Sequence, residues 1–156
     1  MDADANLKEL YQEVILDHNK NPRNFGDLDD PKVDTHAYNP LCGDDYHLSM
    51  RLGSNGLIEA IKFSGKGCAI SKSSASMLTA RVKGKKPTEA SNLQKTFLDF
   101  ITSAAHIQDC QSHLGNLMIF EGVRNFPSRI KCATMIWHAL GELLQQLQNN
   151  EHQKGK

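Results

Sequence analysis

Neither sign of charge predominates in this sequence: eighteen Lys and Arg stand against eighteen Asp and Glu. The balance removes the broad basic field with which proteins gather nucleic acid or an anionic membrane, so neither is expected as a partner. No apolar run approaches the length needed to span a bilayer, and Met1–Asn6 is acidic and polar, without the apolar core of a secretion signal. The chain is therefore expected in the cytoplasm, where thiols stay reduced and cysteines act as ligands or reactive groups before they act as disulfides. Familiar catalytic signatures are missing too. There is no Cys-x-x-Cys knuckle, no His-Glu-x-x-His helix, no phosphate-binding P-loop and no dinucleotide-binding glycine run. Any metal site must be assembled by the fold.

With 156 residues, the chain suits one domain able to bury a core without disulfide staples. Residues 1–148 are read as that domain and 149–156 as a polar, frayed tail. Leu7, Leu10, Tyr11, Val14, Ile15 and His18 recur at helical spacing until Asn21-Pro22, which predicts a helix over 4–20. Residues 22–32 are loop-forming, and Val33–Tyr38 suits a short strand. Tyr46, Leu48, Met50 and Leu52 alternate with His47, Ser49 and Arg51. After the turn Gly53-Ser54-Asn55-Gly56, Leu57–Phe63 returns as the second arm of a hairpin. Gly65 and Gly67 are read as bracketing a bend before a helix from Ile70 to about Gly84. The serines of that helix are poor interior helix formers but small enough to let another backbone come close. Leu93, Phe97, Phe100 and Ile101 mark a further helix, and Leu114, Leu117, Met118 and Val123 a short one. Phe126-Pro127-Ser128 opens a long C-terminal helix, with Ser128 as its N-cap and Ala133, Trp137, Leu140, Leu144 and Leu147 along one stripe. Strands early and helices late make the class α+β.

Three thiols are set into this frame: Cys42-Gly43-Asp44 in a loop, Cys68 after Gly65-Lys66-Gly67, and Cys132 near the start of the last helix. A helix N-terminus offers free N–H groups and partial positive charge, which favour a thiolate. Three thiolates and the Asp44 carboxylate would complete a tetrahedral set for Zn²⁺ or a first shell for iron. Free cysteines are also among the commonest core residues, and on spacing alone the two readings stand level. Asp44, taken alone, is read first as a turn residue. A rival chelate is His106, Cys110 and His113, which share one face if residues 103–113 are helical, although ordinary packing of Cys110 is the stronger reading. A pocket of thiolates without an evident general base suits binding and transfer of soft atoms better than hydrolysis.

Longer ordered stretches add a resemblance. Tyr11–His18, Lys20-Asn21-Pro22-Arg23-Asn24, Asn39-Pro40-Leu41-Cys42-Gly43-Asp44, Phe63–Ser71 and Phe126–Ala133 resemble the iron–sulfur cluster assembly scaffold superfamily of IscU, the N-terminal part of NifU, and SufU. Lys131 stands where IscU-type sequences have histidine. Phe126-Pro127-Ser128-Arg129-Ile130 replaces their Leu-Pro-Pro-Val-Lys motif, and an insertion of roughly residues 85–115 precedes Cys132. These features are similar to the SufU branch. Asn19 and Asp45-Tyr46-His47 depart from the expected pattern.

The resemblance implies a small three-stranded antiparallel sheet packed on helices, with Cys42, Asp44, Cys68 and Cys132 converging at one end as zinc ligands. It implies a SufS-type cysteine desulfurase as partner, itself a pyridoxal-phosphate enzyme, with Cys42 accepting persulfide sulfur. Arg129 or Lys131 could hold the persulfide's charge, a solvated surface position being an equal reading of each. No independent catalysis is expected. The alternative within the family is a scaffold assembling an iron–sulfur cluster on Cys42, Cys68 and Cys132 and passing it to apo-proteins or downstream machinery. Outside it stands a structural zinc adaptor.

Overall fold

Alternation along three short segments builds the sheet. In the computed structural model, which describes the backbone of residues 3–154, β1 (Val33–Asn39), β2 (Asp44–Leu52) and β3 (Ile58–Lys66) form an antiparallel sheet in sequence order. Val33 pairs with Met50 and Asn39 with Asp44, so β1 and β2 form a second hairpin joined by Pro40–Gly43. Tyr46, Leu48, Met50, Ile58, Ile61 and Phe63 are buried against the helices. A register shift at Arg51/Leu52 lets β3 begin at Ile58. Gly65 is not part of a bend, as read from the sequence. It lies inside β3 opposite Tyr46 at φ 126°, where a Cβ would collide with the Asp45 carbonyl. The chain turns instead at Gly67.

Five α-helices form: α1 (Ala3–Lys20), α2 (Ala69–Val82), α3 (Pro87–Ile101), α4 (Ile107–Leu114) and α5 (Pro127–Lys154); the short helix expected on Leu114–Val123 is a 3₁₀ stretch at Gly115–Asn125, and α4 precedes it. The side chains of Leu7 and Leu10 lie outside the described residues; Tyr11, Val14 and Ile15 pack against the core as their spacing requires. The stretch read as an insertion holds α3 and α4, and Phe97 of α3 stacks on Trp137 of α5 at 4.3 Å. α5 continues past Asn149 to Lys154, beyond the polar boundary read from the sequence. Its start also differs: α5 begins at Pro127, and the Arg129 and Ile130 amides donate to the Phe126 carbonyl. Ser128 is thus within the first turn and is not the N-cap. Proline's fixed φ and missing N–H suit it to that first position.

α2 occupies the centre and is buried on nearly every side. Its serines each find a partner, which is why a helix so rich in hydroxyls can lie inside. Ser73 Oγ donates to the Ile70 carbonyl (3.1 Å). Ser74 Oγ donates to the Ala133 carbonyl (2.6 Å) and accepts from Trp137 Nε1 (3.0 Å), drawing α2 and α5 together. Ser76 Oγ accepts from the Arg23 amide (2.8 Å) and lies 2.7 Å from His18 Nδ1, which fastens α1 to the same helix. Burial lowers the pKa of His18 and so favours its neutral ring.

Ser74→Ala would leave the Trp137 indole N–H buried without an acceptor. The expected cost is about 1–3 kcal/mol of folding stability, measured by urea unfolding with the fluorescence of Trp137, the sole tryptophan.

Candidate metal centre

The turn after β1 places Cys42. The Leu41 amide donates to Asn39 Oδ1 (3.2 Å), and the Gly43 amide donates to the Asn39 carbonyl (2.8 Å). Gly43 adopts φ 71°, a conformation other residues reach only at a cost. Cys42 is exposed, and Leu41 beside it is 81% exposed. Asp44, two residues on, opens β2 with its side chain on the inner face and fully buried.

One carboxylate oxygen is held firmly. Asp44 Oδ1 accepts the Cys68 amide (3.0 Å) and the Ser71 hydroxyl (3.1 Å), while Tyr46 O–H lies 3.1 Å from that hydroxyl. Asp44 Oδ2 is buried without a hydrogen-bond partner. The Cys42 and Cys132 sulfurs, 3.5 Å apart, stand with an Asp44 oxygen so that all three ligand atoms lie within 4.8 Å of one another.

Cys68 is the N-cap of α2, where its sulfur accepts the Ser71 amide (3.4 Å), as its position at a helix start suggested. Its sulfur lies outside the 4.8 Å group. It remains close enough that its charge, with those of Asp44 and Cys132, raises the Tyr46 pKa further after burial has raised it most, to about 12.

Cys132 corrects the sequence reading. It is the sixth residue of α5, a turn beyond the helix start, and it is buried. Burial first, then its contact with Cys42 and the charges of Cys68 and Asp44, push its thiol strongly upward. The helix end therefore does not supply the positive charge that would ionise it. A cation would. A buried carboxylate oxygen without a partner, beside the buried Cys132 thiol that resists ionisation, fits a thiophilic divalent ion.

Gly67 makes the arrangement possible. A Cβ there would sit 2.5 Å from Ser71 Oγ and Tyr46 Oη and 2.6 Å from Asp44 Oδ1. Sequence reasoning flagged Gly67 only as a bend, and missed Ser71 and Tyr46 as the groups that orient Asp44. The Gly-Lys-Gly-Cys spacing was the available signal for close approach.

The rival histidine cluster does not form on one helical face. Ser103 has φ 62° and α4 begins only at Ile107, so His106 precedes the helix. Cys110 is buried in the core, where burial raises its thiol pKa. His113 Nδ1 instead lies 2.9 Å from Thr96 Oγ1. Lys131 lines a hollow of about 190 Å³ with Asn39, Leu41, Cys42, Pro127 and Ser128. The Arg129 guanidinium lies over the exposed Phe126 ring at 4.7 Å.

Residues 10–133 match the family model of the NifU-like N terminal domain. The chain belongs to that family. A relative from Bacillus subtilis (strain 168), "Zinc-dependent sulfurtransferase SufU", is 45% identical over 140 residues, covering 90% of this chain and 92% of the relative. "Iron-sulfur cluster assembly scaffold protein IscU" of Streptococcus pyogenes serotype M1 is 37% identical over 148 residues, 95% of this chain and 91% of its own. The crystal structure of FiSufU from Fervidobacterium islandicum AW-1 superposes with a TM-score of 0.79 at 28% identity, covering 87% of this chain and 97% of that one. The three-stranded sheet with its helices is thus the fold of this NifU-like family. Among the described residues no helix is long and apolar enough to cross a membrane.

The two glycines at the site separate conformation from contact. Gly43→Ala meets nothing within 4 Å, so its cost is conformational, about 1–2 kcal/mol. Gly67→Ala must push the Asp44 carboxylate aside, and overpacking adds about 1–3 kcal/mol. In urea unfolding only Gly67→Ala is also expected to lose metal uptake; equal behaviour of the two variants would contradict the close packing of Asp44.

Proposed function

We propose that this NifU-like chain is an iron–sulfur cluster assembly protein of the SufU type, which holds Zn²⁺ with Cys42, Asp44, Cys68 and Cys132 and takes sulfur from a cysteine desulfurase at Cys42. The observation that carries this reading is the meeting of an exposed, turn-borne thiol with a buried thiol and a buried, half-satisfied carboxylate. The full-length similarity to a relative named a zinc-dependent sulfurtransferase supports it.

Bound zinc would hold the thiols as thiolates and pass them between coordinated and free states by ligand exchange. The chain's own residues divide the rest of the work. Asp44 is fixed by Cys68 N–H and Ser71, and Cys132 by the body of α5, so neither can leave without disturbing a helix. Cys42 sits on an exposed turn beside Gly43 and can swing outward. Its thiolate attacks the outer sulfur of the partner's persulfide. A new S–S bond forms at Cys42, the partner's S–S bond breaks, and the electron pair leaves with the partner's thiolate. Sulfur moves without net oxidation. Lys131 lies beside the hollow at Cys42, where its ammonium can offset the persulfide's negative charge.

The scaffold reading uses the same thiols and is supported by the IscU-named relatives. Metal content separates the two: zinc and a colourless protein, against iron with visible absorption.

About one Zn²⁺ per purified chain is expected. Cys68→Ala or Cys132→Ala should lose both the zinc and the stability it confers, whereas Cys110→Ser should leave zinc content unchanged. X-ray absorption dominated by nitrogen ligands would contradict the ligand set.

Cys42→Ala is expected to abolish sulfur acceptance while the desulfurase still forms its own persulfide. Mass spectrometry after reaction with desulfurase and cysteine locates the added sulfur. Sulfur on Cys110, or acceptance by the Cys42 variant at the parent rate, would overturn the transfer route.

A further inference from the structure

Two thiols of the candidate metal centre are in contact, and sulfur acceptance gives a part to only one of them. Cys42 and Cys132 are 90 residues apart in the chain, yet their sulfurs lie 3.5 Å apart. Cys42 is exposed on its turn, and Cys132 is buried behind it on α5. The other two cysteines are not equivalent. Cys68 sulfur accepts the Ser71 amide at the start of α2 and lies outside the group that Cys42, Asp44 and Cys132 form. Cys110 belongs to the hydrophobic core.

The contact has a direction. A sulfur delivered to Cys42 arrives from solvent, the side on which Cys42 is open, so the outer sulfur of the persulfide points away from the protein. Cys132 then lies behind the inner sulfur. Displacement at sulfur proceeds with the attacking thiol opposite the leaving group, and which sulfur is attacked depends on access. Here access favours the inner one. A disulfide bond of about 2.05 Å requires the two sulfurs to close by about 1.5 Å. The turn of Cys42 can supply that movement: the Leu41, Cys42 and Gly43 amides all donate to Asn39, within the turn itself. The hollow of about 190 Å³ beside Cys42 gives the outer sulfur room, and Lys131 on its wall offers a cation to a departing anion.

We infer that Cys132 is a resolving thiol, which releases as sulfide the sulfur that Cys42 has accepted. The inference rests on the reading of Cys42 as sulfur acceptor. Cys132 attacks the inner sulfur of the Cys42 persulfide. A Cys42–Cys132 bond forms and the bond to the outer sulfur breaks. That sulfur leaves with the electron pair and the Cys132 proton, as hydrosulfide. Counted over acceptance and release, the transferred sulfur gains two electrons and the thiol pair loses two, so no outside reductant enters the step. The chain is left as a disulfide, and a thiol–disulfide reductase reaction must reopen it before the next turnover.

The test is one turnover of the full chain without oxygen or added thiol. The sulfur comes from a cysteine desulfurase that has been loaded with persulfide and then freed of cysteine. Sulfide is counted colorimetrically, and the chain is mapped by mass spectrometry without reduction. About one sulfide per sulfur accepted is expected, with a peptide cross-linked between Cys42 and Cys132 and no second turnover until a dithiol is added. Desulfurase carrying no persulfide should leave both cysteines free, and Cys110→Ser should release sulfide as the parent does. Cys132→Ser is expected to lose release for whatever sulfur it accepts. That substitution also removes a proposed metal ligand, so the cross-link in the parent, which needs no variant, is the deciding readout.

Sulfur retained on Cys42 without sulfide would overturn the resolving role and leave acceptance intact. Sulfur found on Cys132 would mean attack at the outer atom, and a cross-link from Cys42 to Cys68 would name a different thiol; either result overturns the inference. Sulfur that never leaves the desulfurase would overturn acceptance at Cys42 and this step with it.

Discussion

A single buried carboxylate governs the geometry of the candidate metal centre. Asp44 reaches the interior because β2 begins at the turn that carries Cys42, and its inner-face position leaves no route to solvent. One oxygen is held by the N-terminus of α2 through the Cys68 amide and Ser71; the other has no partner. Such an oxygen costs about 1–3 kcal/mol if nothing meets it. Around it the fold gathers two sulfurs and excludes side chains at Gly67. The same burial that orphans the oxygen raises the Cys132 thiol. Both effects are answered by positive charge at one point.

The site is asymmetric in mobility, and that asymmetry bears on function. Cys132 and Cys68 belong to helices that Ser71 and Ser74 pin to each other and to the sheet, whereas Cys42 rides on a turn with a positive-φ glycine. A ligand set of this kind can give up one member and keep the rest in place. Leu41 beside Cys42 is exposed, as is Phe126 next to the Pro127 that lines the hollow there, so that end carries exposed apolar side chains.

Much of the fold was legible in the chain itself. The alternation of Tyr46, Leu48 and Met50 and the Gly53–Gly56 turn placed the hairpin, and the spacing of Ala133, Trp137 and Leu140 placed the long helix. Helix boundaries were less legible: Ser128 looked like a cap, but Pro127 begins the helix without one, since its ring fixes φ and it has no amide to satisfy. Gly65 looked like a turn because its real constraint, the carbonyl of Asp45 across the strand, is a long-range contact that local sequence does not encode. The site was half legible. Cys42, Asp44, Cys68 and Cys132 were identified by their contexts and by family resemblance, and the fold brings three of them within 4.8 Å with Cys68 at the margin. The hydroxyls of Ser71 and Tyr46 were not anticipated, because a buried serine and a strand tyrosine read as packing until their partners are known. Cys132 was expected near a helix dipole and lies instead where desolvation dominates.

The most direct measurement concerns Asp44 itself. Thermal unfolding of the parent and of Asp44→Asn should be compared twice, once metal-free and once loaded with Zn²⁺. Replacing the carboxylate removes a buried, half-satisfied acid group in the metal-free protein but a ligand in the loaded one. The variant is therefore expected to melt at or above the parent without metal and clearly below it with zinc. If Asp44→Asn is destabilised equally in both states, the carboxylate is a structural hydrogen-bond acceptor for α2 and not a metal ligand.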